Sequence, residues 1–451
     1  MAGRNTRSRF FRAFLTRSMF PLPHIWRIVL GLAVGAMTAC AGSTASPPLQ
    51  PSVPPGVTPS PTIEPTPTEA VVALSLWLPE SLAPIGEGEG AHILRAQLVD
   101  FDARHADATL SVLPKKERGP GGLLDLLRAA SPVAPAALPD VILLGDADLA
   151  IAAREGLIQP LDELLDAESE AGLFAFARNA ARIDFKRMGL PLAANFNHLV
   201  FVPDRLEAPF ADWTDLISGT LSFSFAFSDG ANVSDAVLAD YALLGGKIIN
   251  DEGQPALTLD ALARLLALYR DARAAGVVAT SNLDWAGPDG AWAAFRASGA
   301  PLALACASRY LAARAEATDL GYARAPSIDG KLTPPIGRSW NLALVTRGPR
   351  RQALAVELMA HLSRAENAAA WTQAAHILPA NASALTRWDP GNGYAAFARG
   401  ELNRALAPPS PAALEVVSPA FLTALRDALT GRAAPQTAAA AAVEAVQRGG
   451  N

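Results

Sequence analysis

The segments VVALSLWL (71–78), ILRAQLVDF (93–101), TLSVL (109–113), LLDLL (123–127) and VILLG (141–145) decide the fold. Val71 to Leu78 is an apolar run of strand length, and Thr109 to Leu113 and Val141 to Leu144 repeat it, the last closed by Gly145. Between these runs Ile93, Leu94, Leu98 and Phe101 fall on one helical face, as do Leu123, Leu124 and Leu127. The order is β-α-β-α-β. Parallel strands need such crossovers, so the alternation predicts an α/β protein with a helix-covered parallel sheet and ligands at the carboxyl ends of its strands.

Working outward, Leu199 to Val202, Leu221 to Phe227, Leu302 to Ala305 and Leu342 to Val345 read as further strands. Leu262, Leu265, Leu266 and Tyr269 follow i, i+3, i+4, i+7, with Thr258 as N-cap and Gly276 just past the end. Ala355, Leu358, Met359 and Leu362 make another apolar face, and the Ala-rich Thr437 to Val446 favours a terminal helix. So much α/β sequence exceeds one ordinary core, and two lobes are expected.

Ahead of the strands lies a different kind of chain. Arg4 to Arg27 is basic, Ile28 to Met37 apolar, and Met37-Thr38-Ala39 sets small residues before Cys40, the layout of a cleaved export signal over residues 1–39. Ten apolar residues are too few to span a bilayer. The arrangement resembles a bacterial lipoprotein signal, which implies lipidation of Cys40; an ordinary signal cut near Ala39, or an uncleaved amphipathic anchor, is the alternative. Residues 40–70 follow as a linker: Ser46 to Thr68 holds nine prolines and cannot build a core. Extended as polyproline II it would reach roughly 70 Å.

Composition removes several function classes. The 451 residues are 50% hydrophobic and 18% charged, too apolar for a disordered chain. Without the six arginines of residues 1–39, 32 basic side chains face 43 acidic ones, so a nucleic-acid partner is not expected. Two cysteines and six histidines lacking i,i+3 or i,i+4 spacing offer neither a disulfide framework nor a metal site. Cys306, within an apolar run, reads as a buried structural thiol. Gly86-Glu87-Gly88-Glu89-Gly90 has the wrong charge for phosphate and reads as a βα loop, so no cofactor is expected.

The informative side chains stand at strand ends. Trp77 ends the first strand, Asn195-Phe196-Asn197 follows Leu190 to Ala194, Trp285 sits in the loop Asn282 to Gly290, and Trp340 follows Gly337-Arg338-Ser339. With Asn232 and Arg338 these are the candidate ligand contacts, since aromatic faces suit sugar rings and Asn and Arg suit their hydroxyls. For any single Trp, core packing is the alternative. Trp292 with Phe295, Trp213 and Trp371 read as structural.

From Val71 to Arg448 the chain resembles the extracellular solute-binding proteins of ABC importers, in the sugar-binding family that includes maltose-binding protein. The residues that carry the resemblance are Leu138-Pro139-Asp140-Val141, Gly156-Leu-Ile-Gln-Pro160-Leu161-Asp162, Gly189-Leu-Pro191, Trp213-Thr-Asp-Leu216, Trp292-Ala-Ala-Phe295 to Gly299, and Leu429-Thr-Gly431. It implies two lobes joined by three crossing segments, near Ala193 to Asn197, Arg338 to Asn341 and Pro379 to Ala384. Lobe 1 would be 71–194 plus 340–380, and lobe 2 195–339 plus 381–451. A small solute, in that family a sugar, would be trapped in the cleft and passed to ABC permease subunits by a non-catalytic, lipid-anchored monomer of the cell envelope. Arg338 and His376 stand where the family has glycines, which would narrow the cleft or add charge. A secreted carbohydrate-active enzyme, or a sensor or structural lipoprotein on the same fold, is the competing reading; facing carboxylates at hydrolase spacing would favour the enzyme.

Overall fold

A computed structural model describes residues 71–206, 210–285, 287–316, 319–388 and 391–449. The export signal, Cys40 and the proline linker lie outside the described residues. In chain order the strands are β1 (Val72–Pro79), β2 (Ala108–Lys115), β3 (Val141–Gly145), the hairpin β4 (Arg182–Ile183) and β5 (Lys186–Arg187), β6 (Leu190–Asn195), β7 (Asn197–Phe201), β8 (Phe223–Ser224), the hairpin β9 (Ser228–Asp229) and β10 (Asn232–Val233), β11 (Leu302–Cys306), β12 (Gly321–Ala323), β13 (Arg338–Leu344) and β14 (Leu378–Pro379). Six form one sheet in the order β14-β6-β13-β3-β1-β2, and four form another in the order β12-β7-β11-β8. The parallel β1-β2 and β1-β3 pairs are the predicted β-α-β-α-β unit. β13 enters antiparallel between β3 and β6.

Alternation along the strands divides the packing. Leu74, Leu76 and Leu78 face helices Glu89–Arg104, Pro349–Ser363 and Ala365–Ala374, where Leu94, Phe101, Leu358 and Trp371 are buried. The opposite face meets helices Leu123–Ala130 and Asp146–Arg154 through Leu123, Leu127 and Leu149. In the four-stranded sheet Leu199, Leu302 and Leu304 point toward helices Leu259–Ala274, Pro411–Thr430 and Pro435–Gly449. Its other face carries His198, Val200 and Ala303 against Tyr310 and Tyr394. Gly431, at φ 74°, ends the long helix Pro411–Thr430 in the left-handed cap that glycine favours.

Some sequence-level boundaries move. Of the run Leu221 to Phe227 only Phe223 and Ser224 pair in the sheet, and Phe225 and Phe227 instead pack on Tyr269. β13 begins at Arg338 rather than Leu342, because a strand entered from the cleft side starts with residues of mixed polarity. Gly90 is a packing residue: a Cβ there would come within 2.9 Å of the Ala375 backbone.

Candidate functional site

Asn195-Phe196-Asn197 carries the chain from the end of β6 in one sheet to the start of β7 in the other. The return passage ends at Gly337, where a Cβ would lie 2.4 Å from the Phe176 ring, so only glycine lets the backbone approach that closely. A third passage leaves β14 through helix Ala382–Leu385 and reaches helix Gly393–Arg404, whose Tyr394 hydroxyl lies 3.0 Å from His198 Nε2. The first two of these crossings floor a cleft of about 1010 Å³ between the sheets.

The floor is the start of β13 beside the end of β6. Arg338 lies opposite Asn195, Ser339 opposite Ala194, and Trp340 between Ala193 and Gly145. A bulge follows Trp340, which is half-buried against the core; its indole N–H is buried and meets no acceptor. Asn195 donates from Nδ2 to Ser308 Oγ at 2.9 Å, while its Oδ1 accepts from the Phe196 and Ser308 amides. Asn197 and Cys306 are register partners and both line the cleft. Cys306 is thus not the buried thiol expected from its apolar run: it ends β11, where the strand meets the cleft.

The walls are charged. Eight carboxylates line the cleft, from Glu117, Asp146, Asp148, Glu155, Asp229, Asp235, Asp289 and Glu415, against the guanidiniums of Arg118, Arg128, Arg154 and Arg338. Arg128 is committed to Glu155, with Nε to Oε2 at 2.7 Å. At the floor Arg338 forks onto Asp235, Nε to Oδ2 at 2.8 Å and Nη2 to Oδ1 at 2.6 Å, and donates from Nη1 to Asp146 Oδ1 at 3.0 Å. Asp146 Oδ2 also accepts from the Ser339 amide at 3.2 Å. Burial pushes the Asp146 carboxyl above its ordinary range, and Arg338 and the Ser339 amide only partly reverse this. Burial works against the Arg338 charge, but Asp235 and Asp146 more than offset it and raise its pKa. Burial also raises Asp148, with Arg118 opposing.

Of the residues singled out from sequence, Asn195, Phe196, Asn197, Asn232, Arg338 and Trp340 come together around this cleft. Phe196 is 2% exposed, so its ring is mainly core. Trp77 does not join them. It is 5% exposed inside β1 and packs among Leu123, Leu127 and Ile142, because odd positions of β1 point to the face away from the first helix. Trp285 is not among the lining residues, although Pro288 and Asp289 of the same segment are. His376, at φ 56°, occupies the turn after helix Ala365–Ala374 and is not among the cleft residues, so that departure from the family's glycine adds no charge to the cleft. Sequence reasoning missed Asp146 and Asp235, since an aspartate opening a helix looks like a dipole partner. The one signal in the sequence was Arg338 itself, a charge in a glycine position, which does not name its partners.

Among the described residues no group of three or more His, Cys, Asp or Glu could hold a metal ion, and no helix is long and apolar enough to cross a membrane. Residues 99–396 match the family described as bacterial extracellular solute-binding protein. No curated protein sequence matches the chain. Among solved structures it is similar to the cyclic α-maltosyl-1,6-maltose binding protein from Arthrobacter globiformis, at 16% identity and a TM-score of 0.69 over 84% of this chain and 99% of that one. A maltose-bound protein of T. maritima gives 16%, 0.67, 84% and 100%. A maltose-bound periplasmic protein from Listeria monocytogenes gives 17%, 0.67, 83% and 97%. At these identities the likeness establishes the two-lobed fold.

Proposed function

Since the chain belongs to the bacterial extracellular solute-binding proteins, we propose that it captures a small polar solute, a neutral or cationic carbohydrate, in the cleft between its sheets, without catalysis. The observation that carries this reading is the charge of the cleft. Its carboxylates outnumber its guanidiniums two to one, and Arg128 and Arg338 already hold carboxylates, so an anionic solute would be repelled while hydroxyls and amines find acceptors. Trp340 supplies the aromatic element and Asn195, Asn197 and Asn232 the amides. That the structural relatives are a cyclic α-maltosyl-1,6-maltose binding protein and a maltose-bound protein supports the choice of solute class.

In this reading lobe 1 is 71–194 with 340–380, lobe 2 is 195–339 with 381–451, and the solute passes from the monomer to an ABC permease. Lipidated Cys40 and the proline linker would hold the protein at the membrane; palmitate labelling that persists in Cys40→Ala would remove the tether from the proposal.

Maltotriose, glucosamine and glucuronate, titrated calorimetrically and by thermal shift, separate the classes. A true ligand at a hundredfold excess over its Kd adds about 2.7 kcal/mol of stability. Trp340→Ala should weaken its binding roughly five- to hundredfold, as loss of about 1 to 3 kcal/mol implies. Stabilisation by glucuronate alone would defeat the reading.

A further inference from the structure

We propose that Arg338 is an interlobe clasp, a positioning residue that limits how far the two halves of the cleft can part. The residue stands where the chain re-enters the six-stranded sheet, and its guanidinium is divided between two helix starts. Asp146 opens helix Asp146–Arg154, directly after β3 of that sheet; Asp235 opens helix Asp235–Leu243, which packs in the core beneath the four-stranded sheet. The fork on Asp235 and the single bond to Asp146 engage Nε and both terminal nitrogens, three of the five N–H donors, and so fix the plane of the guanidinium between the two helix starts.

The two arms differ in how easily they release. Asp146 is 7% exposed, is tied to the Ser339 amide next to Arg338, and would be an uncompensated buried charge if the arginine left it. Asp235, 18% exposed at its side chain, can exchange the guanidinium for water. Opening of the lobes therefore breaks the Asp235 fork and leaves Arg338 with Asp146. Charge-assisted bonds are short and directional, so a shift of the helix starts by about 1 Å already lengthens them past the range of 2.7–2.9 Å typical of such bonds. The clasp thus favours the arrangement in which both helix starts face the floor, and the fraction of molecules ready to receive a solute rises accordingly.

This inference rests on the solute-capture reading for its benefit, but its test needs no solute. Fluorophores placed through unnatural amino acids at exposed Val133 and Glu252, on opposite sides of the cleft in the full-length protein, report the interlobe distance distribution. Asp235→Asn should broaden the distribution and lengthen its mean by several ångström. Arg338→Lys, which keeps the charge but cannot fork, should do the same, and Asp229→Asn on the same wall should do neither. High salt should move the wild type toward Asp235→Asn, because screening acts on the exposed arm first. If both Asp235→Asn and Arg338→Lys fold with the wild-type distribution, the clasp is wrong. If Asp235→Asn keeps that distribution yet loses affinity for a solute that the wild type binds, Asp235 is a solute contact and the clasp is again overturned. Failure of every sugar to bind the wild type would instead count against the capture reading alone.

Discussion

Asp146 and Asp240 are both withdrawn from water, at 7% and 6% exposure, one at the cleft floor and the other inside the core of the four-stranded sheet. Asp146 faces a guanidinium. Asp240 faces only neutral donors: Trp213 Nε1 at 3.2 Å and the Tyr269 hydroxyl at 2.9 Å both reach Oδ2, and Thr333 Oγ1 lies 3.2 Å from Oδ1. Those bonds offset the cost of burying a charge only in part, and burial pushes the Asp240 pKa up to about 7. The contrast teaches that burial alone does not decide ionisation. A dedicated cation makes a carboxylate a fixed connection between elements, whereas a ring of dipoles leaves it free to take a proton.

The largest expected effect breaks the first half of this contrast. Arg338→Met leaves Asp146 buried without its cation and should cost about 3 to 5 kcal/mol in denaturant unfolding. Adding Asp146→Asn should recover most of that loss, since no charge is then stranded. A single-variant loss within about 0.5 kcal/mol of zero would mean that Asp146 is neutral or that water replaces the arginine.

Next comes the pH dependence of the second half. The folded-state pKa of Asp240 lies above its unfolded value of 3.8, so the folded protein holds a proton that the unfolded chain gives up. Its contribution is fully present below the unfolded pKa and is lost as pH rises through about 7. Between pH 5 and pH 8 this group should lower stability by roughly 3 kcal/mol. Asp240→Asn should flatten that slope. An amide fits the site: its oxygen can accept from Trp213 and Tyr269, and its NH2 can donate to Thr333, whose own proton goes to Pro326 O at 2.8 Å. An unchanged slope in the variant would assign the titration elsewhere.

The smallest effect belongs to an intermediate case. Asp140, 0% exposed, takes a bidentate pair from Arg351 at 2.7 Å for both bonds, but also accepts from the Ser75 amide at 2.8 Å. Arg351 is 44% exposed at its side chain, so solvent can partly replace it. Arg351→Met should therefore cost only about 1 to 2 kcal/mol, less than Arg338→Met. Equal losses from the two substitutions would show that the second carboxylate at the cleft floor adds nothing.

Sequence periodicity carries the fold because it records burial directly: the β-α-β-α-β unit of 71–145 and helices such as Leu259–Ala274 lie where their apolar spacing predicts. It fails where burial has two possible destinations. Trp77 and Trp340 are both tryptophans near strand ends, and only pairing register sends one into the core and the other toward the cleft. Cys306 misleads for the same reason, being the last residue of an apolar strand. The Asp146–Arg338–Asp235 group was half legible, in the departure of Arg338 from the family's glycine; the carboxylates it meets lie 192 and 103 positions away, beyond the reach of any local pattern.

β13 has one further consequence, for the order in which the molecule can assemble. It fills the middle of the six-stranded sheet, between β3 and β6, yet its first residue is Arg338. A growing chain that has made β1, β2 and β3 therefore carries an unpaired edge of Val141, Ile142, Leu143 and Leu144 until its C-terminal third arrives. Such edges template aggregation, and pairing across so much intervening chain is slow. Refolding from denaturant should accordingly be slow and lose yield as protein concentration rises, with chains ending before residue 338 aggregating most; fast, concentration-independent refolding would show that the sheet nucleates without its central strand.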